Sequence, residues 1–513
     1  MQVERSSGIL LHPTSLPGPF GIGELGDEAY HFIDFLASSN QHLWQVLPLG
    51  PTGYADSPYA SFSSFAGNHL LISLRLLARE GLLDETLLRP PPSLQAASVD
   101  YGAVITFKMP LLWQSFEAFQ VSATPEQQRG YAQFCTNNSR WLDDYALFMA
   151  LKDEHGGTPW TQWVPDIVAR KPAALSACQE RLATHSNFHK YLQYQFYNQW
   201  TKLKHYANAR DIRIVGDLPI FVAHDSADVW AHPELFFLDT AGLPTVIAGV
   251  PPDYFSVTGQ RWGNPLYRWD VLAQTGYAWW IDRFRAVLSL VDLVRLDHFR
   301  GFQAYWEVPA EEETAIKGRW TPGPGAALFK VLKKALGRLP IIAEDLGVIT
   351  PDVVALRKQF GFPGMRVLQF AFSSDATNEH LPHNYERHML VYTGTHDNDT
   401  TVGWYNTRRP EEQHHVREYL ATDARTINLD LIRLALSSVA DLAIVPLQDV
   451  LGLGNEARMN MPGRATGNWT WRYRAEMLKD WHRDWLARMT RLYNRVPPTT
   501  PTPAVPVPGE GQQ

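Results

Sequence analysis

The sequence predicts an α/β fold, a (β/α)8 TIM barrel with large subdomain insertions after strands 2 and 3. Three observations carry this reading: eight short apolar runs, helix-like stretches between them, and acidic residues where several runs end. In chain order the runs are Gly8 to His12, Leu43 to Leu49, Ile212 to Val222, Leu293 to Phe299, Pro340 to Leu346, Met365 to Phe372, Met389 to Thr395 and Leu442 to Val450. Their centres are almost continuously apolar, as parallel strands covered on both faces should be. Tyr30 to Leu36 and Gly325 to Leu336 read as intervening helices.

The spacing is uneven. Roughly 160 residues separate the second run from the third and roughly 70 the third from the fourth, far beyond ordinary βα loops. The first gap carries Phe188, Leu192, Phe196, Trp200 and Leu203 at helical spacing, so an insertion over 54–210 should be mainly helical. The second, over 223–285, contains LDTAGLPTVIAGVPPDYFSVTGQRWGNPLY and reads as a structured loop. Leu478, Trp481, Trp485, Met489 and Leu492 mark a last helix whose apolar face should close the barrel. One catalytic barrel is therefore expected over 1–495, followed by a Pro-rich, disordered tail over 496–513.

Composition narrows the function. Of 513 residues 45% are hydrophobic and 19% charged, which excludes disordered, collagen-like and coiled-coil chains. A net charge of −7 without a basic cluster argues against nucleic acid or an anionic membrane as partner. Cys135 and Cys178 are too few for a disulfide framework and lack metal-ligand spacing, and no run of ~18 apolar residues or export signal is present. A cytoplasmic location is expected.

The letters GIGELG at Gly21 to Gly26 satisfy a dinucleotide motif, but they follow LPGPF rather than a strand and carry Glu24 with no neighbouring Lys in sequence. A tight turn before a helix near Asp27 is the better reading. His380, His383 and His388 lack a helical spacing and a completing ligand, so they read as loop residues and no metal is expected.

Four runs end in carboxylates: VGDLPIFV with Asp217, VRLDHFRGF with Asp297, IIAEDLG with Glu344 and YTGTHDNDT with Asp397. In a barrel these ends form the active-site face. Arg295 and Asp297 lie two apart on one strand and share a side, so the guanidinium should hold that carboxylate ionised, as a nucleophile requires. Glu344 follows Ile341, Ile342 and Ala343, an apolar setting that should raise its pKa toward that of a general acid, while Asp345 must point elsewhere. A nucleophile and an acid with opposed demands are the parts of a retaining glycoside reaction. The competing structural reading, salt-bridged strand caps, fits one such acid better than four.

With these residues assembled, the chain resembles the 4-α-glucanotransferases known as amylomaltases or disproportionating enzymes, of the α-amylase barrel superfamily. The resemblance spans nearly all of residues 5–490 and rests on LLHPTSLPGPFGIGELG, WQVLPLGPTGYADSPYASFSSFAGN, PPDYFSVTGQRWGNPLY, VRLDHFRGF, IIAEDLGVIT, YTGTHDNDT and QDVLGLGNEARMN with GNWTWR. It implies retaining transfer of α-1,4-glucan segments to an acceptor 4-hydroxyl through a covalent intermediate, without metal or cofactor. Asp297 would be the nucleophile, Glu344 the acid/base and Asp397 the stabilising carboxylate. Arg295, His396 and Asp217 would line the donor subsite, and Tyr59, Gln260, Trp262 and Asn468 would contact glucan. The implied partners are malto-oligosaccharides, amylose, starch- or glycogen-derived glucans and glucose as acceptor, met by a monomer. Ala55 and Met461 depart from the expected glycine and smaller polar residue. An α-1,4-glucan hydrolase using the same carboxylates is the alternative within enzymes, and a non-catalytic glucan-binding barrel the alternative outside them.

Overall fold

The computed structural model describes residues 4–252 and 256–496; most of the tail expected at 496–513 lies outside them. Twelve strands are present among these residues: β1 (Ser6–Leu10), β2 (Leu43–Gln45), β3 (Arg213–Leu218), β4 (Val246–Val250), β5 (Gln260–Pro265), β6 (Leu293–Leu296), β7 (Ala304–Pro309), β8 (Arg319–Pro322), β9 (Ile341–Ala343), β10 (Gly364–Val367), β11 (Met389–Tyr392) and β12 (Leu442–Pro446). Eight form a parallel sheet in the order β10-β11-β12-β1-β2-β3-β6-β9. The Ala343 amide donates to the Pro363 carbonyl at 2.9 Å, bringing the free edges of β9 and β10 together into a barrel. Each of the eight overlaps a run anticipated from the sequence; six lie wholly inside theirs, while β1 begins two residues and β10 one residue before the run. Their residues are almost all buried, which is why the alternation of a half-exposed strand is missing.

Local chemistry explains the flanking helices. Asp27–Ser38 begins with Asp27 and Glu28, whose charges favour a helix N-terminus, and buries Ala29, Phe32, Ile33 and Leu36 against the barrel. Gly325–Leu336 forms where its apolar periodicity predicts. Between β2 and β3 run the long helices Tyr101–Ser122, Pro125–Glu154 and Ala183–Asn208. Asp100 caps the first, Thr124 and Gln127 form a capping box on the second, and the third buries Phe188, Leu192, Phe196, Trp200 and Leu203. Trp200 also donates its indole N–H to the Leu290 carbonyl at 2.8 Å, tying this helical block to the barrel.

Three expectations need correction. The 223–285 stretch is not only loop: it holds β4 and β5, which join β7 and β8 in an antiparallel sheet of order β5-β4-β7-β8. Its strands are short and punctuated by Gly and Pro, and half of its pairing comes from beyond β6, so no local periodicity announces it. The C-terminal helix Asp480–Leu492 buries His482, Leu486, Ala487, Met489 and Thr490, whereas Trp481 and Leu492 are exposed. Its inward face is fixed partly by polar contact, Gln41 donating to Thr490 Oγ1 at 2.9 Å, which an apolar count does not register. Glu24 of GIGELG does have a lysine partner, brought from the helical insertion: Lys108 pairs with it in the interior and donates to the carbonyls of Leu70 and Ile72 at 2.8 and 2.9 Å. Among the described residues no helix is long and apolar enough to cross a membrane.

Candidate active site

The C-terminal ends of β3, β6, β9 and β11 bring the sequence-predicted acids to one mouth of the barrel. Register sets the arrangement. β3 pairs Asp217 with Arg295 of β6, and β6 pairs Leu296 with Ala343 of β9, so Asp297 and Glu344 are the next residues on adjacent strands. Arg295 is buried and donates from Nη1 to both Asp217 oxygens at 2.9 and 2.7 Å, while its Nη2 lies 2.8 Å from Asp297 Oδ1. Burial works against the Arg295 charge, but the carboxylates of Asp217 and Asp297 outweigh it and hold the guanidinium well above its ordinary range. Tyr59 donates its hydroxyl to Asp217 Oδ2 at 2.8 Å.

Glu344 is laced to the turn after β6. Its Oε2 accepts from the His298 amide at 2.8 Å and its Oε1 from the Leu346 amide at 3.2 Å. Burial pushes its carboxyl up to about 8, with Asp297 and Asp345 acting the same way and Arg295 and the His298 N–H opposing. A carboxyl so raised is protonated at neutral pH and able to donate. Asp345 points away, accepting from the Met365 amide at 2.7 Å beside Arg357.

Asp397, half-exposed, accepts from Asn460 Nδ2 at 2.6 Å and lies 3.4 Å from His396 Nε2. The His396 ring stacks on Tyr59 with centroids 5.1 Å apart, and Trp469 contacts both rings at 5.8 and 5.9 Å. Gln260 and Trp262 sit on β5 at the rim, the Trp262 indole N–H donating to Gln260 Oε1 at 3.1 Å. Trp262 reaches the carboxylates through His298, whose ring meets it edge-on at 4.8 Å. Asn468 spends its side chain on its own loop, accepting from the Met461 amide at 2.9 Å and donating to the Arg464 carbonyl at 2.8 Å.

Three neighbours escaped sequence reasoning. His298 immediately follows Asp297 and could have been found from that adjacency; Asn460 and Trp469 flank expected positions but carry no pattern of their own. His380, His383 and His388 serve loop structure, His380 accepting from the Val367 amide and His383 contacting Tyr419 Oη at 3.0 Å. Ala55 adopts φ +56°, the left-handed region where glycine is strain-free, which gives the expected glycine a physical reason.

A parallel barrel with carboxylates crowded at its C-terminal mouth, one of them held protonated, has the architecture of a carbohydrate-active barrel enzyme. The sequence profile of the 4-alpha-glucanotransferases, glycoside hydrolase family 77, matches residues 11–478. A 4-alpha-glucanotransferase of Synechocystis is 55% identical, the match covering 96% of this chain and 98% of that protein. One of Thermus thermophilus is 54% identical, with 92% and 95% covered. An amylomaltase from Streptococcus agalactiae, solved in complex with acarbose, superposes with a TM-score of 0.92 at 39% identity, covering 96% of this chain and all of the other. The chain belongs to the 4-alpha-glucanotransferase family.

Proposed function

We propose that the chain moves α-1,4-glucan segments between malto-oligosaccharides or longer glucans, with glucose among its acceptors, by a retaining double displacement. Asp297 attacks the anomeric carbon while Glu344 gives its proton to the departing 4-oxygen. An acceptor 4-hydroxyl then attacks the glycosyl-enzyme, its proton passes to Glu344, and Asp297 leaves. One glycosidic bond is broken and one made. Asp397, held by Asn460, grips the donor sugar's hydroxyls together with His396, and Arg295 with Asp217 and Tyr59 fixes the nucleophile's side of the subsite. Gln260 and Trp262 offer a surface to glucan at the rim, and Asn468 supports its own loop from Met461 to Asn468.

The observation that carries this reading is the raised carboxyl of Glu344 next in register to Asp297. The two carboxylates stand on hydrogen-bonded neighbouring strands, a placement compatible with the ~5–5.5 Å carboxyl separation of retaining enzymes. The insertions over 54–210 and 223–285 are taken as walls of the cleft within a barrel spanning 1–495, raising the effective concentration of a bound acceptor over water. A monomeric cytoplasmic enzyme fits the two unpaired cysteines and the acidic surface balance.

Maltotriose tests the reaction. Transfer releases glucose and builds longer oligosaccharides while total reducing ends stay nearly constant. Reducing ends that climb in step with glucose, with no product longer than maltotriose, would replace the transferase by the hydrolase.

A further inference from the structure

The two loops that bear the carboxylates are joined a third time, beyond the carboxylates themselves. Asp297 opens a turn through His298 (φ +50°), Phe299 and Arg300, and Glu344 opens the loop that continues to Val348. Nearest the barrel, the Phe299 amide donates to the Glu344 carbonyl at 3.1 Å and the His298 amide to its carboxylate. Farthest out, Arg300 Nη1 donates to the Val348 carbonyl, and its Nε donates to the Ala304 carbonyl at 3.4 Å where β7 begins. Arg300 is buried, and its guanidinium lies 3.7 Å from the ring centroid of Trp320, a β8 residue paired in register with Trp306. A planar guanidinium fixed by two carbonyls and an indole face has one available pose; a lysine ammonium has no plane to stack and no fork to bridge the carbonyls.

We propose that Arg300 is a positioning residue for the carboxylate pair: stacked on Trp320, it holds the Val348 loop against the turn after Asp297 and so sets the aim of Glu344. The inference rests on the assignment of Glu344 as acid/base. Trp320 belongs to the same small sheet as Trp262, so the sheet anchors the catalytic turn as well as the rim. The groups facing Glu344 are Arg295, Asp297 and the His298 backbone from the β6 side, Asp345 from its own loop and the Tyr392 hydroxyl from β11. Loosening the clamp weakens the His298 N–H bond, which favours the ionised carboxylate, so the acid holds its proton to higher pH.

The test compares pH profiles of maltotriose transfer for the parent, Arg300→Lys, Trp320→Ala and Trp320→Phe, each checked for folding by circular dichroism. Arg300→Lys should lower kcat about 10–100-fold with KM within about threefold, since misaimed catalytic groups cost rate rather than binding, and move the basic limb up by about half a pH unit. Trp320→Ala should do the same more weakly, and Trp320→Phe, which keeps a ring over the guanidinium, should restore the limb. Folded variants with parental kcat and limb overturn the proposal, as does a Trp320→Ala whose only change is in KM, which makes that indole a sugar contact. Glu344→Gln in the same series separates the two claims: its inactivity beside an unmoved Arg300→Lys limb removes the clamp alone, whereas its activity removes the acid assignment.

Discussion

Glu344→Gln should abolish transfer and, at the same time, make the protein more stable in alkali. The carboxyl sits near 8 in the folded chain against an ordinary 4.5. A group raised by folding adds stability that is complete below the unfolded value and is lost as pH rises through the folded one. Between pH 5 and 9 the parent therefore gives up stability that a glutamine, with nothing to ionise, keeps. The ceiling on that loss is about 5 kcal/mol. The site opens on a cleft where water and the Arg295 guanidinium can relieve a new charge, which brings the expected loss to roughly 1–3 kcal/mol. For a chain of 513 residues this corresponds to about 1–3 °C in the thermal midpoint. Scanning calorimetry of both proteins from pH 5 to 9 should show the two midpoints diverging as pH rises, the variant above the parent, while the parent's transfer rate falls through a limb near pH 8. Midpoints that run parallel across this interval would refute a raised carboxyl at Glu344, whatever the activities do.

Arg295→Leu removes the cation held between Asp217 and Asp297 and leaves the buried Asp217 without a counter-charge, with only the Tyr59 hydroxyl still donating to it. Such a break costs about 3–5 kcal/mol, or roughly 3–5 °C, and calorimetry should find the deficit shrinking as pH falls and Asp217 takes a proton. Trp262→Ala should behave oppositely. Trp262 is 38% exposed and its ring contacts among the described residues are the His298 ring and, more loosely, Phe221, so KM for glucan should rise several-fold with the midpoint within about 1 °C of the parent; a fall of several degrees would make the indole an anchor of its strand.

What the sequence disclosed follows from how local each cause is. The barrel strands are visible because burial on both faces writes itself into consecutive residues, as in Ile341, Ile342 and Ala343. Asp217, Asp297, Glu344 and Asp397 are visible because a carboxylate ending such a run has few structural excuses, and the spacing of Arg295 and Asp297 alone anticipates their 2.8 Å contact. The small sheet is invisible because β4 finds its partners at β5 and at β7, on either side of a barrel strand. Lys108 and Glu24, 84 positions apart, meet only once the helical insertion has folded back. The inward face of the last helix depends partly on a Gln41 to Thr490 bond, and the Asn468 side chain on a closing interaction within its own loop. Position-by-position chemistry is legible; assembly between distant segments is not.

If Glu344 and Asp297 act as proposed, the charge count at the site gives a reason why one carboxyl would serve as acid and then as base. Arg295 touches two carboxylates, Asp217 and Asp297, and a third negative charge at Glu344 would stand beside Asp297 with no cation of its own in contact. The proton on Glu344 is thus a consequence of its neighbours, burial first and Asp297 next among the groups that raise it. In the proposed double displacement, the negative charge of Asp297 disappears into an ester when it bonds to the anomeric carbon. The part of the upward push on Glu344 that comes from Asp297 goes with it, and the Arg295 field, still present, shifts the balance toward the ionised form. Having delivered its proton to the leaving 4-oxygen, Glu344 can remain a carboxylate and accept the proton of the incoming hydroxyl. Release of Asp297 in the second step restores the repulsion, and the acid takes up its proton for the next turnover. On that reading the alternation needs no movement of the protein, only that Asp297 and Glu344 stand on neighbouring strands with one guanidinium between Asp217 and Asp297, which is what the register of β3, β6 and β9 imposes.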